Sequence, residues 1–128
     1  MTSPAEAALR EYADAFARGD LDGVVACIHA PCMYITPAGV TIFPDDDVAR
    51  ALLAIGMEQM RAQGYHHTEF EGLTSRPLSP ALASVSGRLV RIDADGGEIN
   101  REAFTYTFRL NGGRWCLVCA IIHEPLEG

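Results

Sequence analysis

Several side chains in this 128-residue chain have the chemistry to hold a metal, move a proton or bind an anion. Cys116 and Cys119 form a CxxC, the spacing of many metal and redox sites. In a regular strand, however, residues three apart point to opposite faces and lie about 10 Å from one another. No second CxxC follows and no histidine sits at finger spacing. Buried free thiols are therefore the expectation for these two, and likewise for Cys27 and Cys32. Asp45, Asp46 and Asp47 form an acidic run that suits a cation. They equally suit a helix start, with Asp45 as N-cap and its neighbours at the positive end of the dipole. His66 and His67 are adjacent in a strand-like stretch, so they should point apart and not share a metal. No metal site and no cofactor are expected.

Three further residues depend on strand parity. Glu102 shares its parity with Phe104 and Tyr106. It is either a partly desolvated base at a cavity rim or a solvated strand end. Arg91 goes with Val85, Gly87 and Leu89; it binds an anionic group if that set faces inward, and is a surface arginine if not. His123 shares parity with Trp115, Leu117, Cys119 and Ile121. If Val118, Ala120 and Ile122 line the cavity, His123 faces away from it.

The elements that must position these groups follow from periodicity. Phe104, Tyr106, Phe108 and Leu110 alternate with Ala103, Thr105, Thr107 and Arg109, so this strand has one aromatic face. Asn111-Gly112-Gly113 supplies the positive φ angles of a hairpin turn. From Trp115 to Ile122 both alternating sets are apolar, which predicts a strand covered on both sides. Upstream, Ser3-Pro4-Ala5-Glu6 is a capping box with proline at the first helical position. Leu9, Tyr12, Ala13 and Phe16 form the stripe of a first helix that Gly19 ends. Asp20 caps a second helix carrying Leu21, Val24, Val25 and Ile28, which Pro31 stops. Residues 32–36 read as a strand, 37–39 as a turn, and 40–43 as its return. A third helix runs from Asp45 to about Gln63, with Ala49, Leu52, Leu53, Gly56, Met57 and Met60 inward. Strands are expected over 66–75 and 83–92, with 76–80 as a connector and Asp95-Gly96-Gly97 as a turn.

The order ααββαββββ is that of an α+β domain spanning 1–128, with a strongly curved antiparallel sheet wrapped around helices. The net charge of −7, with ten basic residues that are all arginine, leaves no cluster for nucleic acid. No apolar run reaches the roughly 20 residues of a membrane span, and no secretory leader is visible. A cytoplasmic location is the expectation.

The stretch Arg10-Glu11-Tyr12-Ala13-Asp14-Ala15-Phe16-Ala17-Arg18-Gly19-Asp20-Leu21-Asp22-Gly23-Val24-Val25-Ala26 resembles the opening of the NTF2-like superfamily, above all its ketosteroid isomerase and SnoaL-like branches. Phe108-Arg109-Leu110-Asn111-Gly112 and the apolar last strand are similar to that group as well. The resemblance implies a cone-shaped fold of six strands and three helices around a cavity. It also implies roles for particular residues. Tyr12 stands where isomerases carry an oxyanion-donating tyrosine, a pairing of groups that the ketosteroid isomerase case illustrates. Tyr106 stands near the second oxyanion donor. The isomerase base, an Asp before Pro-x-Gly, corresponds to Thr36 before Pro37-Ala38-Gly39, and a threonine hydroxyl has no suitable pKa for that work.

The expected site thus has Tyr12, Tyr106 and Glu102 as the chemical groups. Phe16, Tyr34, Thr36, Met57, Phe104, Val118 and Ile122 would contact a small hydrophobic molecule, polyketide- or steroid-like. If catalytic, the protein would shift protons beside a carbonyl, with tyrosines stabilising an enolate. The alternative is a noncatalytic binding or dimerisation module whose cavity is filled by Phe16, Met60 and Phe108. Trp115, Leu117, Ile121 and His123 would leave an apolar convex face needing cover. A homodimer is therefore expected through that face.

Overall fold

The structure is a computed structural model, and it describes residues 3–124. The outermost residues of the expected 1–128 domain lie outside the described residues. Helices α1 (Pro4–Ala17) and α2 (Leu21–Ala26) are followed by strands β1 (Ile28–Thr36) and β2 (Gly39–Phe43). Helix α3 (Asp46–Ala62) comes next, then β3 (Tyr65–Ser79), β4 (Leu82–Asp93), β5 (Glu98–Asn111) and β6 (Arg114–His123). The order ααββαββββ is the one the sequence predicts, and the six strands form one curved sheet ordered β2-β1-β6-β5-β4-β3.

The local signals act as their chemistry requires. The Ser3 hydroxyl accepts from the Glu6 N–H at 3.1 Å, Asp20 accepts from Gly23, and Asp45 accepts from Val48 at 2.9 Å. The acidic run at 45–47 is therefore a helix start: Asp45 caps α3 and Asp46 and Asp47 lie in its first turn. Gly112 and Gly113 take φ of +59° and +80° and close the β5–β6 hairpin.

The sheet departs from the expected layout in four places. First, it is mixed: β1 runs parallel to β6, while the other four pairs are antiparallel. Second, β1 begins at Ile28, and Pro31 does not stop a helix. It lies in the irregularity between the paired residues Ile28 and Met33, where no ladder donor is needed. Third, β3 continues through 76–79. Pro77 is tolerated because β3 is an edge strand.

The fourth departure matters most. The β5–β6 register shifts between Thr107 and Phe108, leaving Val118 as an extra residue in β6. One extra residue reverses the side-chain parity beyond it. Ile122 and Ala120 pair with Phe104 and Tyr106 on the concave face. Past the bulge, Leu117 and Trp115 pair with Phe108 and Leu110 on that same face. Leu117 is only 1% exposed and Trp115 packs against the core, so neither belongs to the convex surface. Cys116 and Cys119 share the convex side with Arg109 and Thr107 instead of facing opposite ways. All four cysteines are free, and burial pushes the Cys32 thiol up to about 12.

The core lies between the concave face and the helices. Phe104, Phe108, Leu9, Leu117, Val24 and Val85 are its largest fully buried members. Burying each such side chain contributes roughly 1.5–3 kcal/mol. Where β3 bends at Gly72, Gly87 of β4 comes so close that an added Cβ would lie 2.9 Å from the Glu71 carbonyl oxygen. Backbone cannot yield as a flexible side chain can. Gly87→Ala is therefore expected to destabilise the protein by about 1–3 kcal/mol, read as a lower urea midpoint at unchanged slope.

Candidate functional site

Between the sheet and helices α1 and α3 lies a cavity of about 430 Å³. Tyr12 and Phe16, four apart on α1, project into it from one side. Tyr34 of β1 and Tyr106 of β5 face it from the sheet, together with Leu89 and Arg91 of β4. Phe70, Thr68 and Tyr65 of β3 complete that wall. Helix α3 closes the other side. It carries two rows of apolar residues one step apart around its axis. Ala49, Leu53 and Met57 are buried, whereas Leu52, Gly56, Gln59, Met60 and Gln63 line the cavity. Leu53 touches both regions.

The expected site divides accordingly. Tyr12, Phe16, Tyr34 and Tyr106 line the cavity together. Met57 does not; it lies on the core row of α3, and Met60 takes the cavity position. Phe104 and Ile122 are core residues beneath the cavity wall, at 0% and 4% exposure. The Phe104 ring packs edge-on to Phe70 and Tyr106, with centroids 5.7 and 4.9 Å away. Val118 is the bulge residue and is not in the lining. Thr36 closes the β1–β2 turn, its hydroxyl accepting from the Ala38 N–H at 3.2 Å, and is likewise outside. Glu102 stands outside the lining and accepts a hydrogen bond from the Arg91 guanidinium. His123 is on the convex side beside Thr105, at 3.1 Å. His66 and His67 do not diverge as expected. Beside the β3 irregularity at Tyr65–His67 their rings meet edge-on, with Nδ1 atoms 2.9 Å apart. Among the described residues no three His, Cys, Asp or Glu side chains converge as metal ligands.

Sequence reading missed Thr41, Phe43, Tyr65, Phe70 and the glutamines of α3. Thr41 was recoverable in principle, because the β1–β2 hairpin pairs it directly with Tyr34. The rest depend on how far α3 and β3 rotate toward the cavity, which periodicity does not fix.

Among the described residues the polar groups in the cavity wall are phenols, threonine hydroxyls, two carboxamides and one guanidinium, with no carboxylate or imidazole. Burial is the main cause lifting all four tyrosines above their ordinary value of 10.0. Tyr106 is pushed well above it, with the neighbouring phenols Tyr34 and Tyr12 adding to the effect of burial. Tyr65 and Thr68 bond to each other at 2.7 Å. The Tyr12 hydroxyl has no partner among the described residues. Arg91 is mostly buried, which disfavours its charge, but the hydrogen bond and charge of Glu102 outweigh that and hold it protonated.

These shifts carry a definite sign. The folded state favours the neutral phenols, while the unfolded chain ionises near 10.0. Stability is thus complete below that pH and falls as pH climbs past it toward the folded values. Phenolate absorbance is expected to stay low past pH 10 while the fold persists, then to rise together with loss of tertiary circular dichroism. A phenolate signal half-developed at pH 10 in folded protein would contradict the burial of these rings.

No curated protein matches the chain. Among solved structures, an NTF-2 like protein of unknown function from Shewanella oneidensis MR-1 superposes with a TM-score of 0.70 at 20% identity, covering 92% of this chain and 94% of that one. An NTF2-like protein with a cystatin-like fold from Novosphingobium aromaticivorans gives 0.74 at 16%, covering 95% and 79%. Aln2 from a Streptomyces species gives 0.72 at 14%, covering 91% and 84%. At these identities the likeness speaks to fold alone. The sequence profile of one family, described as NTF2-like protein (DUF6841), matches residues 3–125, and the chain therefore belongs to that NTF2-like family.

Proposed function

We propose that the protein binds a small, largely apolar molecule in the cavity between α1, α3 and the concave sheet. The observation carrying this reading is a hollow of about 430 Å³ with mostly aromatic and aliphatic walls and a few hydroxyl and N–H donors. That size lies within the roughly 300–1,000 Å³ of small-molecule sites. Phe16 and Met60 border the space without filling it, and Phe108 is in the core beneath, so the cavity remains open to a guest.

Proton transfer of the SnoaL-like kind keeps its donors here, since Tyr12 and Tyr106 both face the cavity and could stabilise an enolate. It lacks a base in the lining. Glu102 is engaged by Arg91 from outside, and Thr36 is spent on a turn. Binding without acid–base chemistry is therefore the reading the geometry supports best.

We also propose a homodimer through the convex face, on a patch that keeps Ile121 of the expected one and has residues of β1 and β2 in place of the inward-facing Trp115 and Leu117. Met33, Val40 and Ile42 are 39%, 59% and 59% exposed. Met33 pairs with Ile42, and Ile35 pairs with both Val40 and Ile121, so these side chains form one continuous apolar surface over β2, β1 and β6. A two-fold pairing of this face with its copy would cover it.

Gly56 offers a clean test of the cavity. It lines the space, and a Cβ added there meets nothing within 4 Å. Gly56→Phe should weaken binding of the neutral fluorescent probe N-phenyl-1-naphthylamine at least about tenfold. Because it removes a mid-helix glycine, it should leave Tm unchanged or higher. No probe binding by the wild type, or undiminished binding by the variant, would refute the cavity reading. For the dimer, light scattering at micromolar concentration should give twice the chain mass, and Ile42→Asp should give the single chain mass. A monomeric wild type removes that proposal.

A further inference from the structure

The wall of the cavity is uneven in one chemical respect. Its hydrogen-bonding groups gather on the sheet side, and there they surround a single cation. Arg91 projects from β4 with its side chain 17% exposed, and Tyr12, Tyr34 and Tyr106 all lie within range of its charge. The guanidinium is fixed by the neighbouring strand β5. Its Nη1 donates to Asn100 Oδ1 at 3.0 Å and to Glu102. Asn100 is the β5 residue directly paired with Arg91. Nε and Nη2 have no partner among the described residues. A guanidinium has five N–H donors in a planar fork, so it can serve a carboxylate on each edge.

We infer that the ligand of this cavity is an apolar molecule with a carboxylate head, the head seated between Arg91 and the hydroxyls of Tyr12 and Tyr34. The inference rests on the cavity being a ligand site. Four observations support the acid over a neutral head. Among the described residues Arg91 is the only charged one in the lining. Its buried position makes its charge–charge interactions stronger than they would be in water. Glu102, which balances it, has a side chain 36% exposed, so water screens part of its charge. The Tyr12 hydroxyl is unpaired among the described residues, and the Tyr34 hydroxyl is a second phenol donor within range of Arg91. A carboxylate has about four acceptor sites and satisfies these donors together; a ketone oxygen has two. The opposite wall, with Leu52, Leu53 and Met60 of α3, then takes the hydrocarbon body.

Glu102 thereby acquires a role different from that of a base. It is a positioning residue that holds the guanidinium fork toward the cavity without reaching the ligand.

The test uses three molecules sharing one body: 2-naphthylacetate, 2-naphthylacetamide and 2-ethylnaphthalene, titrated into the full chain by calorimetry or NMR near neutral pH. The acid is expected to bind at least about tenfold more tightly than the amide. Arg91→Met should abolish that preference, bringing the ratio of acid to amide affinity to about one. Equal binding of acid and amide by the wild type, or a preference for the amide, would overturn the anionic head and leave the cavity reading standing. If none of the three binds, both fall. The wild-type ratio requires no variant, so misfolding of Arg91→Met would not rescue the proposal.

Discussion

A sheet that is to enclose a cavity must keep one face apolar along every strand, and in β6 the extra residue Val118 makes that possible. Without it, strict alternation would carry Leu117 and Trp115 to the outside and bring Cys116 and Val118 in. With it, Leu117 and Trp115 join Ile122 and Ala120 opposite the aromatic row of β5. The floor beneath the cavity, with Phe104 and Phe108 fully buried, depends on this registration. So does the position of Tyr106, whose ring packs edge-on to Phe104 and which faces the cavity beside Tyr34.

The second constraint is the cost of burying polar groups. An unpaired buried hydroxyl or charge is expensive, and the protein meets that cost in a graded way. Tyr65 is paired with Thr68, and Arg91 with Asn100 and Glu102. The Tyr12 hydroxyl and part of the guanidinium, both at the cavity, have no such partner among the described residues. The residual donors lie where a guest molecule would meet them.

Much of this architecture was legible in the chain because it is encoded locally. Caps at Ser3, Asp20 and Asp45, the Gly112-Gly113 turn and the alternation of β5 each depend on neighbours a few residues away. The tyrosines at 12, 34 and 106 and Phe16 reach the cavity wall for the same reason, each lying on the apolar side of a well-marked element. What escaped the reading was set at long range. The bulge at Val118 is a matter of register between two strands and leaves no mark in an all-apolar run such as β6. The rotation of α3 is decided by what it packs against. Met57 and Met60 are therefore indistinguishable in sequence and only the second reaches the cavity. Pro31 and Pro77 resembled breaks because the tolerance of an irregular or edge position depends on the neighbouring strand, which the sequence alone does not name.

Pro77 has a consequence for the protein among its neighbours in solution. The outer margin of β3 is where another chain's strand would otherwise add itself. There a residue without an N–H, together with the bend at Gly72, interrupts the row of ladder donors. The opposite margin, β2, is only five residues long. Growth of the sheet sideways into fibrous assemblies is thus discouraged at both borders.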